Sequence, residues 1–133
     1  MAKHGDNFTY TIIGAYSDWG RIRHTETRDP IALEGYIPIS AEKARELNIR
    51  NRHGAGEQDV WGLNLFHCES ADGLFRETLL AQGNQHNRNY AKQFSVRGDL
   101  KALGRWYQEI GAQEGDRILV RWESETDIVI EKL

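Results

Sequence analysis

The sequence predicts a mostly β fold, a seven-stranded open pseudobarrel with two short helices. Short runs of β-branched and aromatic residues follow one another without the strand–helix alternation of a parallel α/β sheet. The 13 glycines in 133 residues provide many turns, and two segments have the apolar spacing and flanking caps of helices. We expect one domain over residues 1–133, with residues 1–7 as a loose end.

The first half of the chain contains two predicted strands and a helix. Phe8–Tyr16 (FTYTIIGAY) is rich in β-branched and aromatic residues, and Glu34–Ile39 (EGYIPI) contains a proline typical of a strand edge or end. Ser40 is the expected N-cap of a helix over Ala41–Leu47, whose apolar positions face inward.

A hairpin is predicted next. Asp59–Cys68 alternates in polarity, which places Leu65 on one face of a strand and Asn64 on the other. The sequence Ala71-Asp72-Gly73 predicts a turn into a further strand, Leu74–Ala81.

The second predicted helix covers Leu100–Ile110. Asp99 is its expected N-cap and Gly111 its C-terminal stop. The remaining predicted strands are Tyr90–Val96, Arg117–Trp122 and Asp127–Leu133.

Composition indicates a cytoplasmic protein. The single cysteine, Cys68, excludes an internal disulfide framework. Its neighbour His67 cannot activate it as a nucleophile, because consecutive strand residues face opposite ways, so we expect a buried structural cysteine. No apolar run is long enough to cross a membrane, and the polar start is unlike a secretory leader.

The net charge of −3 argues against a nucleic-acid partner, because DNA-binding domains are usually basic. The charge is unevenly distributed, however. Residues 109–133 carry seven acidic and three basic side chains, whereas residues 82–101 carry four basic and one acidic. A domain that is acidic overall can still present a cationic face.

The spacings that mark enzyme centres are missing from the sequence. The histidines are scattered singly and the cysteine is alone, so no zinc site is expected. Gly54 and Gly56 lack the continuation of a phosphate-binding loop. Asp127–Lys132 superficially resembles a nuclease motif, but Glu131 and Lys132 are adjacent and point to opposite strand faces. We expect no catalytic residue, metal or cofactor.

The stretch Gln82–Lys92 (QGNQHNRNYAK) has the chemistry of base recognition. Its side-chain amides can donate and accept together, which matches adenine, and Arg88 has the fork that matches guanine in the major groove. These groups are expected to be exposed, because burying an unpaired amide is costly. An ordinary solvated hairpin tip has the same composition, so both interpretations stay open.

A second polar stretch is Ser17–Arg28 (SDWGRIRHTETR). Arg21, Arg23 and the threonines alternate on one nominal face, where they can straddle the edge of a duplex while Trp19 packs on sugar or methyl surface. The alternative, equally open, is a polar edge strand on which Trp19 closes one end of the barrel.

A series of motifs then runs through residues 30–133. They are Gly35–Ser40 (GYIPIS), Ala44–Ile49, the asparagine-rich loop, Tyr90–Phe94 (YAKQF), Leu100–Trp106 (LKALGRW) and Gly115–Arg117 (GDR). Together they resemble the B3-like recognition domain of restriction endonucleases, of the NgoFVII and BfiI type. The first 30 residues match in outline only. The resemblance implies a seven-stranded pseudobarrel with two short helices, in agreement with the strand count.

In that family two projections hold the major groove of DNA, and the resemblance implies two corresponding arms here. The N-arm residues are Ser17, Asp18, Trp19, Arg21, Arg23, His24, Thr25 and Arg28. The C-arm residues are Gln82, Asn84, Gln85, His86, Asn87, Arg88, Asn89 and Lys92. Further phosphate contacts are expected at Arg50, Arg52, Arg97 and Lys101. The implied partners are double-stranded DNA and a nuclease domain or subunit, since this sequence contains no His-x-Lys nuclease motif.

Three alternatives remain open at the level of sequence. In the first, the domain binds a modified base that is held by Trp19, Tyr90 and Trp106. In the second, it is a small hydrolase or nuclease that uses Asp127–Lys132. In the third, it is an AbrB-like interaction barrel, whose strand turn is similar to Gly115-Asp116.

Overall fold

The computed structural model describes residues 2–12, 35–50, 64–82 and 90–133. Within these ranges it contains seven strands and two helices, so the predicted mostly β fold is confirmed. The strands are β1 (Asn7–Thr11), β2 (Ile37–Pro38), β3 (Leu65–Ser70), β4 (Arg76–Gln82), β5 (Gln93–Val96), β6 (Arg117–Trp122) and β7 (Asp127–Lys132), and the helices are α1 (Ala41–Glu46) and α2 (Ala102–Glu109).

All seven strands belong to one sheet, in the order β1-β6-β7-β3-β4-β5-β2. Neighbours are antiparallel except β3 and β7, which run parallel. The two edge strands face each other across a cleft of about 730 Å³, which is lined by residues 7–10 of β1 and by Pro38, Ile39 and Ser40. The sheet is therefore a nearly closed barrel with an open seam, the predicted pseudobarrel.

The core of the barrel is aromatic. Phe66 of β3, Phe94 of β5 and Trp122 of β6 meet inside the sheet, with ring centroids 5.4–6.4 Å apart. Such tilted and edge-on ring pairs add to the stabilisation that comes from burying apolar area. Since the three residues come from three strands, they tie distant parts of the sequence into one core.

The first helix follows its sequence signals. The Ser40 hydroxyl accepts a hydrogen bond from the Lys43 backbone N–H at 3.2 Å, which confirms the predicted N-cap. Ala44 and Leu47 are buried, as the helical spacing predicts.

The second helix begins later than predicted, because the Asp99 side chain makes hydrogen bonds other than those of an N-cap. Its carboxylate accepts from the Lys101 backbone N–H at 3.0 Å and from the Arg105 guanidinium, and Lys101 occupies the N-cap position. The predicted N-cap at Asp99 is therefore wrong. The stop at Gly111 is confirmed: its φ of 65° is a left-handed conformation that favours glycine.

Residues 2–7 are attached to the barrel, which corrects the expected loose end. The Gly5 N–H donates to the Trp122 carbonyl at 2.9 Å, and the Trp122 N–H donates to the Asp6 carbonyl at 2.8 Å. Ala2 is buried in the core, and Asn7 already belongs to β1. The attachment depends on main-chain hydrogen bonds and a small side chain, which leave no pattern in the sequence.

Residues 64 and 65 lie on opposite faces of the chain, as the alternation in the sequence predicts. Asn64, Phe66 and Cys68 are buried, whereas Leu65 is half-buried and lies on the opposite face of β3. Because the Phe66 ring packs inward, it determines which residues of β3 face the core. Cys68 is buried as expected, and burial together with the neighbouring Glu69 carboxylate raises the pKa of its thiol. His67 faces outward.

Candidate nucleic-acid interface

The N-arm residues lie outside the described ranges, but the two points where this segment leaves and re-enters the barrel are described. We call these points the N-arm root. On the leaving side, the Ile12 N–H donates to the Asp116 carbonyl at 2.8 Å and the Ile12 carbonyl accepts from Gly115 at 3.0 Å. On the returning side, the Gly35 N–H donates to the Leu100 carbonyl at 3.2 Å. The N-arm root is thus held by two turns of the barrel.

Of the predicted C-arm, Gln82 and Lys92 are described, and Asn84, Gln85, His86, Asn87, Arg88 and Asn89 lie outside the described ranges. The Lys92 N–H donates to the Gln82 carbonyl at 3.1 Å, and this hydrogen bond joins the two ends of the C-arm. We call this point of the barrel the C-arm root. The half-buried Gln82 side chain donates to the buried Ser95 hydroxyl at 2.7 Å. Gln82 thus joins β4 to β5, and Lys92 is exposed.

The two roots lie at opposite ends of the barrel. The C-arm connects the last residue of β4 to the start of β5, whereas the N-arm root contacts Leu100, which follows β5, and Asp116, which precedes β6. Antiparallel pairing runs β1 against β6, so Thr11 lies beside Arg117 at the end where β6 begins. Strand β5 therefore extends from one root towards the other.

Basic residues in the described part of the chain fall into two groups. The first group is engaged with carboxylates within 4 Å: Lys3, Lys43, Arg76, Arg105, Arg121 and Lys132. In the described ranges, the second group has no carboxylate within that distance, and it comprises Arg45, Arg50, Lys92, Arg97, Lys101 and Arg117. Four of these six residues were predicted from the sequence to contact DNA.

The four nominated cations divide between the two arm roots. Arg50 and Lys92 lie at the C-arm root, where Arg50 forms a backbone bridge with Tyr90. Arg97 and Lys101 follow β5 at the other end, on either side of Leu100, which binds Gly35. Lys92 and Arg97 are five positions apart with the four residues of β5 between them, which corresponds to roughly 17 Å of extended chain. Arg52, which was also expected to contact a phosphate, lies outside the described ranges.

Trp106 cannot take part in the pocket for a modified base that the sequence left open. Its ring is 1 % exposed and packs at 6.0 Å from the Phe75 ring. Its indole N–H donates to the Asp72 carboxylate at 3.1 Å, which ties α2 to the β3–β4 turn. Trp106 is a core residue, and of the other two proposed pocket residues, Trp19 lies outside the described ranges.

Two of the segments weighed for enzyme chemistry lie on neighbouring strands, since His67 of β3 pairs with Asp127 of β7. In the described ranges no group of three potential metal ligands comes together. Lys132 lies 3.9 Å from Asp116 and is exposed beside Glu131 at the end of β7. The seam cleft has Phe8, Tyr10 and Ile39 among its lining residues, and of the residues described Glu42 is its single acidic one.

No helix in the described ranges is both long and apolar enough to cross a membrane. Comparison with protein-family models, with curated proteins and with solved structures finds no match to this chain.

Proposed function

We propose that this domain binds double-stranded DNA in a sequence-specific manner through two arms in the major groove. It acts as the recognition module of a restriction endonuclease in the cytoplasm, and a separate nuclease domain or subunit supplies the cleavage. The proposal assigns no catalytic centre, metal or cofactor to the domain itself.

The observation that carries the proposal is the distribution of unpaired cations. Exposed cations in folded proteins commonly gain carboxylate neighbours, as Arg76 and Arg121 do here at 2.7 and 2.8 Å. The cations at the two arm roots lack such neighbours in the described ranges although the chain is acidic overall. Phosphate groups of a duplex complement cations of this kind, and contacts to them fix the register in which a protein meets the bases.

The separation of the two cation pairs also suits a duplex. A major groove is about 12 Å wide, and phosphates line both of its edges. Lys92 and Arg97 flank β5 at roughly 17 Å along extended chain, a separation comparable to the width of the groove. Amide and guanidinium side chains of the arms would then contact base edges between them.

Selection from a random pool of duplexes tests the proposal most directly. The domain is incubated with unmethylated and methylated pools in parallel, and the bound DNA is sequenced. We expect one short enriched motif, a monomer that forms a complex with duplex DNA in size-exclusion chromatography with light scattering, and no cleavage of plasmid DNA with Mg²⁺. Absence of any enriched motif would contradict sequence-specific binding. Enrichment from the methylated pool alone would favour the modified-base alternative, and metal-dependent cleavage would favour the nuclease alternative.

A further inference from the structure

The C-arm re-enters the barrel beside a stacked arginine. The guanidinium carbon of Arg50 lies 4.7 Å from the centroid of the Tyr90 ring, and the backbones of the two residues form an antiparallel bridge. Next to the bridge, the Ala91 N–H donates to the Ile49 carbonyl at 3.0 Å, and both of these residues are buried. The stacked pair is therefore fixed to the core by its immediate neighbours.

Stacking determines what the Arg50 side chain can do. A guanidinium that lies over an aromatic ring keeps its plane, and its N–H groups remain available at the edge of that plane. In the part of the chain that the structure describes, no carboxylate or carbonyl accepts from these N–H groups. Because the ring already restricts the side chain, less conformational entropy is lost when a ligand binds.

We propose that Arg50 is a preorganised phosphate-binding residue at the C-arm root and that Tyr90 is its positioning residue. This inference rests on the proposed function, and it names the ligand group as a phosphodiester of the duplex backbone. The planar fork of an arginine binds phosphate oxygens in a bidentate manner, and the exposed Lys92 adds a second positive charge at the same root. The contact fixes where the arm meets the bases without selecting a sequence.

The experiment measures the affinity of the whole domain for its selected duplex at several salt concentrations. Arg50→Ala is expected to weaken binding about tenfold and to reduce the log–log salt slope by about 1, while the selected sequence stays the same. Arg50→Lys keeps the slope but not the full affinity, because an ammonium has no fork. Arg76→Ala is the matched control: it removes one arginine charge from a carboxylate-paired site and should stay within twofold of wild type.

Variants of Tyr90 test the positioning role. Tyr90→Phe retains the ring and should bind as wild type does, whereas Tyr90→Leu should lose about two- to fivefold in affinity with an unchanged salt slope. The double variant Arg50→Ala/Tyr90→Leu should be no weaker than Arg50→Ala alone, because both changes remove the same contact. Circular dichroism melting verifies that each variant folds, and if Tyr90→Leu does not, the comparison of Arg50→Ala with Arg50→Lys still decides the phosphate contact.

The outcomes separate this inference from the proposed function. If the wild-type domain binds its duplex with a steep salt dependence but Arg50→Ala keeps the same affinity and slope, the inference alone is wrong. A changed base preference in Arg50→Ala would also overturn it, because Arg50 would then contact bases. If the wild-type domain does not bind duplex DNA, the proposed function fails and the inference fails with it.

Discussion

Charged side chains at the two ends of β4 differ in whether they have hydrogen-bond or ion-pair partners among the described residues. At its amino end, the β3–β4 turn is closed internally: Asp72 accepts from the Ser70 hydroxyl, the Leu74 N–H and the Trp106 indole. At its carboxyl end, Arg50 and Lys92 flank the C-arm without carboxylate partners in the described ranges.

This contrast separates polar residues that hold the fold from polar residues that are available to a ligand. Both ends of β4 are rich in turn-forming and polar residues, and composition alone treats them alike. Changes at the amino end should therefore alter stability and leave DNA binding intact, while changes at the carboxyl end should do the reverse.

The largest expected effect is that of salt on DNA binding. If four to six of the unpaired and arm cations contact phosphates, the log–log slope should be about −4 to −6, so affinity falls roughly 250- to 4,000-fold between 50 and 200 mM salt. Fluorescence anisotropy with a labelled duplex measures this slope. A flat response would show that the cations at the two roots face away from DNA.

Arg88→Ala tests the C-arm itself. Loss of a bidentate contact to guanine should cost about 1–3 kcal/mol on the preferred site and relax the preference at one base pair, with no change in Tm. Selection profiles and anisotropy measure the two effects. Arg121→Ala, which removes an arginine paired with Glu123 at 2.8 Å, is the control and should bind normally. Unchanged affinity and selectivity in Arg88→Ala would remove Arg88 from the set of base contacts.

Arg23→Ala tests whether the arms contact different parts of one site. Because the two roots lie at opposite ends of the barrel, Arg23→Ala should change the preference at one end of the motif and Arg88→Ala at the other. The free-energy losses of the two variants should add in the double variant, as they do for well-separated positions. A uniform loss for all sequences in Arg23→Ala would reduce the N-arm to a phosphate contact, and no loss would refute the N-arm assignment.

Asp72→Ala tests the internally closed end of β4. The variant loses acceptors for three hydrogen bonds at an exposed site, which should destabilise the fold by about 1 kcal/mol. Tm should fall by roughly 3–5 °C, and the affinity for DNA well below Tm should not change. A loss of affinity without a loss of stability would overturn the division between the two ends.

The pH dependence of the Asp72→Ala effect has a defined sign. Burial raises the pKa of Asp72, but hydrogen bonds from Ser70, Leu74 and Trp106 outweigh it, so the pKa lies below its ordinary value of 3.8. The carboxylate therefore stabilises the fold fully above that ordinary value, and the contribution is lost as the pH falls through the lowered pKa of the folded state. Denaturation of both proteins across this acidic range should show the difference in unfolding free energy shrinking there.

Much of the fold could be predicted because strand alternation, the Ser40 cap and the Gly111 stop are local signals. The predictions were wrong where tertiary contacts, rather than local signals, determined the structure. Asp99 has the side chain of an N-cap, yet Arg105 and the Lys101 N–H hold it before the helix begins.

For the candidate site, the sequence could predict the types of functional group but not their arrangement in space. Residue types identify groups that suit bases and phosphates, but a sequence does not show which cations have carboxylate partners. Lys101 and Arg105 lie one helical turn apart, and of the two only Arg105 is paired with Asp99 within 4 Å. The stack of Arg50 on Tyr90 brings together two residues far apart in sequence, and only the fold places them side by side.

The pairing of β1 with β6 has a consequence for how the domain folds. Phe8 lies opposite Val120, and the Tyr10 hydroxyl meets that of Tyr107, 97 residues along the chain. Contacts of such high sequence separation form late, because the entropy of closing a long loop must be overcome first. The C-arm, by contrast, is closed by the adjacent strands β4 and β5. During synthesis, the C-arm root can thus be anchored while the N-arm root waits for Asp116 and β6 to emerge.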